Sequence, residues 1–226
     1  MKAAALILLA LTSVSAFAQA KVTIAIKPVK DAIVKHKTEL RLAVMGTEAV
    51  LTATAERTTK VVDGAKFEST VVMKDFKLDV NGSDPGLQVD DTKIVETTDG
   101  TVFSLTGGIQ GSDNLRSFLG QHFIAPRAEI AEGEEYTIEF AEQKEGQVPA
   151  FKVVGKYIGA AEAAGKKGHK FTLKLTEPGE GGFTSESTFV VLEDGTILSA
   201  EGKFKNLPIP AVGQSVEGSY KLAIVG

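Results

Sequence analysis

Asp99-Gly100-Thr101-Val102-Phe103-Ser104-Leu105-Thr106-Gly107 and Asp194-Gly195-Thr196-Ile197-Leu198-Ser199-Ala200-Glu201-Gly202 are two versions of one phrase. The Asp-Gly-Thr opening, the serine and the closing glycine are shared, and Val102/Ile197 and Phe103/Leu198 exchange one apolar residue for another. Each copy reads as an Asp-Gly turn, the strongest short hairpin signal, leading into an alternating strand. A proline, a glycine and a strand tyrosine follow both: Pro126, Gly133 and Tyr136 after the first, Pro210, Gly213 and Tyr220 after the second. The chain is therefore expected to hold two related antiparallel units, with halves at approximately 21–130 and 131–226.

Outward from these turns the pattern is extended. Val22, Ile24 and Ile26 alternate before Pro28, as do Leu40, Leu42 and Val44, and the threonine-rich run from Val50 to Thr59 sets Leu51, Ala53 and Ala55 on one side. That side is unusually small, which fits a close layer or a lined space. After the Asp63-Gly64 turn, Phe67, Val71 and Met73 occupy odd positions and Phe76, Leu78 and Val80 even ones. The change of phase places a β-bulge near Lys74-Asp75. Further strands are expected at Tyr136–Phe140, Phe151–Ile158, Phe171–Leu175, Phe189–Leu192 and Ser215–Val225, with Gly159–Gly168 as a loop.

The one helix expected begins at Ser112 or Asp113, either of which can cap it. Leu115, Phe118, Leu119 and His122 then fall on one face, and Phe123, Ile124 and Pro126 end it. At about three turns it needs the sheet to hold it. The stretch from Gly202 to Gly213 has no room for such a helix, so the insertion is where the halves differ and where function is sought.

Residues 1–20 read as a signal peptide: Lys2, an apolar run from Ala3 to Leu11, and Ala18-Gln19-Ala20 at the cleavage point. The polar alternation that opens at Lys21 stops the apolar run short of the roughly 20 residues of a membrane span. The expected location is periplasmic or secreted, with no transmembrane segment in the mature chain. With no cysteine, stability must come from packing, and thiol chemistry and zinc–thiolate sites are excluded. A net charge of −4 without an arginine-rich patch argues against nucleic acid as a partner.

Catalytic signatures are missing. There is no Gly-x-Ser-x-Gly elbow and no His-Glu-x-x-His spacing. His36, between Lys35 and Lys37, reads as solvent-exposed, and His169 reads as a loop residue; His122 alone has a suggestive setting, on the apolar helix face. Asp79, Asn81 and Ser83 begin like a calcium loop, but Asp84 stands where the bend needs glycine and Asp90 where a bidentate glutamate belongs. No catalytic residue, metal ligand or cofactor is assigned, and the expectation is a protein that is not an enzyme.

Twelve phenylalanines and no tryptophan supply an aromatic core, mostly at alternating strand positions. The expected fold is all-β with one short helix: a curved antiparallel sheet or incomplete barrel of roughly ten to twelve strands, the alternative being a two-sheet sandwich. In outline this resembles the half-barrel carriers that ferry lipoproteins or lipids across the periplasm, a likeness of shape alone. The expected function is binding of a lipid or other hydrophobic ligand in a groove between sheet and helix, at Leu115, Phe118, Leu119, His122 and Phe123. The alternative is a structural or protein–protein interaction module of the cell envelope, partnered by another envelope protein.

Overall fold

Alternating apolar residues and turn glycines divide the described residues into thirteen strands and one α-helix. The computed structural model describes residues 21–225, so the leader and cleavage point expected within residues 1–20 lie outside the described residues. The strands are Lys21–Val22 (β1), Ile33–Val44 (β2), Thr47–Asp63 (β3), Lys66–Val80 (β4), Val89–Thr97 (β5) and Val102–Ile109 (β6). The helix Asn114–Gln121 (α1) comes next. Ile130–Ala131 (β7), Glu135–Phe140 (β8), Phe151–Ala163 (β9), Lys166–Thr176 (β10), Thr184–Val191 (β11), Ile197–Ile209 (β12) and Gln214–Ile224 (β13) complete the chain.

Eleven strands form one antiparallel sheet in the order β6-β5-β4-β3-β2-β13-β12-β11-β10-β9-β8. Two hairpin-linked meanders, β2 to β6 and β8 to β12, thus lie side by side, with β13 between β12 and β2. This corrects the expectation of a strongly curved sheet or incomplete barrel, and equally the two-sheet sandwich. The sheet is open: its ends β6 and β8 share no ladder among the described residues, and β1 and β7 make only a separate two-stranded pair. The features that suggested curvature have local causes. The bulge is real, since Ala53 opposes both Asp75 and Phe76 and Asp75 takes φ 51°, and it accounts for the phase change along β4. Ala53 is buried in the core, and Ala55 borders open space that Phe118 of the helix also lines.

The repeated phrase folds twice in the same way. In both turns the glycine N–H donates to a carbonyl three residues back (Gly100 to Thr97, 3.0 Å; Gly195 to Leu192, 2.9 Å). In both, the aspartate Oδ1 accepts from the threonine N–H (Asp99 from Thr101, 3.1 Å; Asp194 from Thr196, 2.9 Å). Gly100 and Gly195 have φ of 87° and 84°, a conformation that L side chains resist. The agreement extends into the ladders. The register shift between Val95 and Glu96 recurs between Val190 and Val191, and the step from Thr59–Ser69 to Val61–Glu68 recurs from Tyr157–Phe171 to Gly159–Lys170.

Two segments depart from the sequence expectation. The first strand keeps only Lys21 and Val22; beyond it the chain runs along the second Asp-Gly turn, with the N–H groups of Ala25 and Lys27 on the carbonyls of Glu193 and Asp194. Gly159–Gly168 is no loop but the tip of the β9–β10 hairpin, turned by Ala164 and Gly165 at positive φ, which puts His169 in a strand.

The helix is fixed at both ends. Asp113 caps it, its Oδ1 accepting from the Arg116 N–H at 2.9 Å. The Arg116 guanidinium reaches the Asp113 carboxylate and forks onto Glu177 at 2.6 and 2.7 Å, tying α1 to the loop after β10. At the last turn the hydroxyls of Ser185 and Ser187 donate to the Gly120 carbonyl at 2.9 and 3.1 Å. Phe123 packs on Phe171 and Phe189, with ring centroids 5.3 and 5.5 Å apart.

Candidate functional site

Alternation along β2, β3 and β5 sends three polar side chains to the face that α1 covers. His36 lies in phase with Thr38 and Leu40, Arg57 with Ala53 and Ala55, and Glu96 with Thr92 and Ile94. They meet His122 from the end of the helix. Arg57 Nη2 donates to a Glu96 carboxylate oxygen and, at 3.2 Å, to Ser69 Oγ. The other Glu96 oxygen is 3.3 Å from His122 Nε2. The Arg57 guanidinium packs between the rings of Phe67 and Phe118, 5.8 and 6.0 Å from their centroids. His36 Nε2 lies 2.8 Å from the Ile197 carbonyl and therefore carries the proton as donor.

Glu96 is only 1% exposed. The duplicated hairpins show that the fold does not require it. The ladders match Glu96 to Val191, Ser69 to Phe171 and Arg57 to Gly155, whose open side is filled by the Tyr136 ring. An apolar cluster in one half thus stands where the other has a buried ion pair.

The cluster stands at the end of empty space. A cavity of about 190 Å³ lies under α1, bordered by Leu40, Leu51, Ala55, Met73, Ile94 and Phe118, with His36, Arg57 and His122 along its edge. It shares Leu40, Leu51, Ile109, Asn114 and Ser117 with a larger cavity of about 450 Å³ that continues to Val44, Leu78, Leu207 and Ile209. On the other side of the cluster a space of about 260 Å³ opens between the two Asp-Gly turns, bordered by Ile26, Pro28, Phe67 and Phe123. Under the helix on the β10–β11 side the packing is tight, leaving a void of only about 10 Å³.

The five residues singled out from the helix pattern stand in different surroundings. Phe118 and His122 border the 190 Å³ cavity. Phe123 borders the space on the far side, Leu119 is buried in the core, and Leu115 packs against that core without reaching either apolar cavity. Arg57, Glu96 and His36 complete the cluster. His36 corrects the expectation of exposure: the lysines on either side face water because the histidine between them faces in. The calcium-like segment is a plain turn in which Asp79 Oδ1 accepts from the Gly82 N–H at 2.6 Å.

Burial sets the protonation of the cluster. It pulls the Arg57 guanidinium down to about 10, which leaves it charged at neutral pH. It also pushes His122 down to about 3, with the nearby Arg57 charge adding to the effect, and lowers His36. Glu96 would favour an imidazolium at His122, but its charge is already engaged by Arg57. At neutral pH the site holds one ion pair and two neutral imidazoles, and neither imidazole hydrogen-bonds a hydroxyl among the described residues.

No protein-family model matches the chain, and no curated protein matches it. A solved structure of a DUF1329 family protein from Desulfovibrio piger is similar at 12% identity and a TM-score of 0.24, over 86% of this chain and 84% of that one. A likeness at that level carries no functional argument. Among the described residues, no helix is long and apolar enough to cross a membrane.

Two outcomes follow from the buried pair and its neighbour. Arg57→Met alone strands the Glu96 carboxylate and should cost about 3–5 kcal/mol in denaturant unfolding, whereas Arg57→Met with Glu96→Val should recover most of that loss. Equal losses in the single and double variants would contradict the pairing. His122 has an ordinary pKa near 6.5 when unfolded and a lower one when folded. Its contribution is therefore present above about pH 6.5 and is lost as pH falls toward 3, at roughly 1 kcal/mol per pH unit. His122→Gln should flatten the fall in stability between pH 7 and 5, and parallel profiles would refute the assignment.

Proposed function

We propose that the chain is an exported, non-enzymatic binding protein for a lipid or other hydrophobic ligand, held between the sheet and α1. The observation that carries this is the pair of adjoining apolar cavities under the helix, in the half where strand alanines leave room. Binding sites for small apolar molecules are of this kind: concave, lined by aliphatic and aromatic side chains, with few polar groups at one place. The packed second half supports the same view, because a fold that closes its interior under one end of the helix has no structural need to leave it open under the other. Export rests on the leader-like residues 1–20. An interaction module of the envelope expects a solid interior beneath α1, which the cavities disfavour.

Filling the space tests the proposal. Ala55→Phe places an aromatic ring in the 190 Å³ cavity without adding a charge. With a polarity-sensitive fluorescent hydrophobe as probe, the unaltered protein should bind saturably and the variant at least about ten-fold more weakly, a difference of about 1.4 kcal/mol. The variant's melting transition should remain cooperative. Undiminished binding by a folded Ala55→Phe variant would move the site elsewhere, and no binding by the unaltered protein would refute the function.

A further inference from the structure

On the groove reading, we propose that the ligand is a single-chain amphiphile with a carboxylic acid head, seated with its carboxyl group at Arg57 and its chain under α1. Among the described residues, Arg57 spends only one of its three nitrogens on the protein. Nη2 serves Glu96 and Ser69, while Nε and Nη1 have no hydrogen-bond partner among the described residues. They are not sealed in either, since Tyr220 Oη is the buried, unpartnered side-chain atom among the described residues and Arg57 borders both adjoining spaces. A guanidinium with free N–H groups at the end of an apolar cavity is a receptor for an oxygen acceptor.

The neighbours of Arg57 narrow the chemistry of the head. Glu96 already balances the arginine charge, so a doubly charged head such as a phosphate monoester would meet a carboxylate beside its only cation. The His36 imidazole provides the complement. It holds its proton on Nε2 toward the Ile197 carbonyl, which leaves Nδ1 as a bare acceptor. A carboxylic acid satisfies both sets, its carbonyl oxygen accepting from Arg57 and its O–H donating to an imidazole nitrogen. An ester has no proton to donate, and an alcohol must meet both sets through a single oxygen.

Direction and specificity come from the same contrast. From Arg57 the apolar lining continues past Leu40 and Leu51 to Leu207 and Ile209, the path of an acyl chain. The matched position in the other half, Gly155 with Phe171 and Val191, has neither charge nor cavity. Buried charge and empty space therefore occur together in one half and are missing together from its counterpart.

The test is a competition series on the full protein: hexadecanoic acid, hexadecan-1-ol, methyl hexadecanoate and hexadecyl phosphate, each displacing a bound fluorescent hydrophobe. The acid should bind at least ten-fold more tightly than the alcohol or the ester and more tightly than the phosphate. In the Arg57→Met, Glu96→Val variant, where valine copies the counterpart Val191 and methionine keeps length without charge, the alcohol should still bind while the preference for the acid disappears. Arg57→Lys keeps a cation for Glu96 with a different donor geometry, and should lower that preference should the double variant not fold. Equal binding of acid and alcohol, or tightest binding of the phosphate, overturns the head-group assignment and leaves the groove standing. Failure of every amphiphile to bind overturns both.

Discussion

An eight-residue helix is set against one face of an eleven-stranded sheet, and the two are badly mismatched in size. At 1.5 Å per residue α1 is about 12 Å long. Eleven strands at roughly 4.8 Å spacing extend across about 50 Å. The helix can seal only part of the face, and its anchors decide which part. Ser185 and Ser187 on its last-turn carbonyl, Arg116 on Glu177 and Phe123 between Phe171 and Phe189 all draw it toward β10 and β11. That end is packed solid, and the apolar residues of β2, β3 and β4 are left facing open space.

The polar cluster is where this incomplete cover meets a duplicated scaffold. Both halves share the Asp-Gly turn, the two register shifts beside it and the ladders around them, so differences between these matched positions are free of backbone explanation. Gly155, Phe171 and Val191 make ordinary core, Phe171 and Val191 being fully buried. Arg57, Ser69 and Glu96 put a buried ion pair in the same frame. Such a pair is often no more stabilising than apolar residues of similar volume, and here the apolar version exists in the same chain. We attribute its place beside a cavity to the proposed ligand and not to stability.

Much of the scaffold was legible because it depends on local rules. Asp-Gly turns announce hairpins, the odd-to-even change from Met73 to Phe76 announces a bulge, and Asp113 ahead of Leu115 and Phe118 announces a capped amphipathic helix. The extent of β1 was misjudged because Ile24 and Ile26 alternate without a strand to pair with; that segment lies on a turn instead. Sheet shape was misjudged because small residues and bulges accompany both curvature and an open interior, and alternation cannot tell them apart. At the site, Phe118 and His122 were visible through helical spacing. Arg57 and Glu96 were missed although each continues the inward phase of its strand, since a charged residue in phase with a core reads first as the point where burial ends. His36 was hidden by the lysines on either side, whose exposure is itself the sign that the histidine points inward. The repeat carried one further clue, Glu96 against Val191, which only the matched ladders make plain.

The central claim is that the open space under α1 belongs to a hydrophobic ligand. Native mass spectrometry of the protein isolated from its own compartment, followed by solvent extraction, tests this most directly. The account predicts one bound hydrophobe per chain, released on unfolding and recovered in the organic phase. A monodisperse chain with no added mass, empty on extraction and unable to take up a hydrophobic probe afterwards, would contradict it.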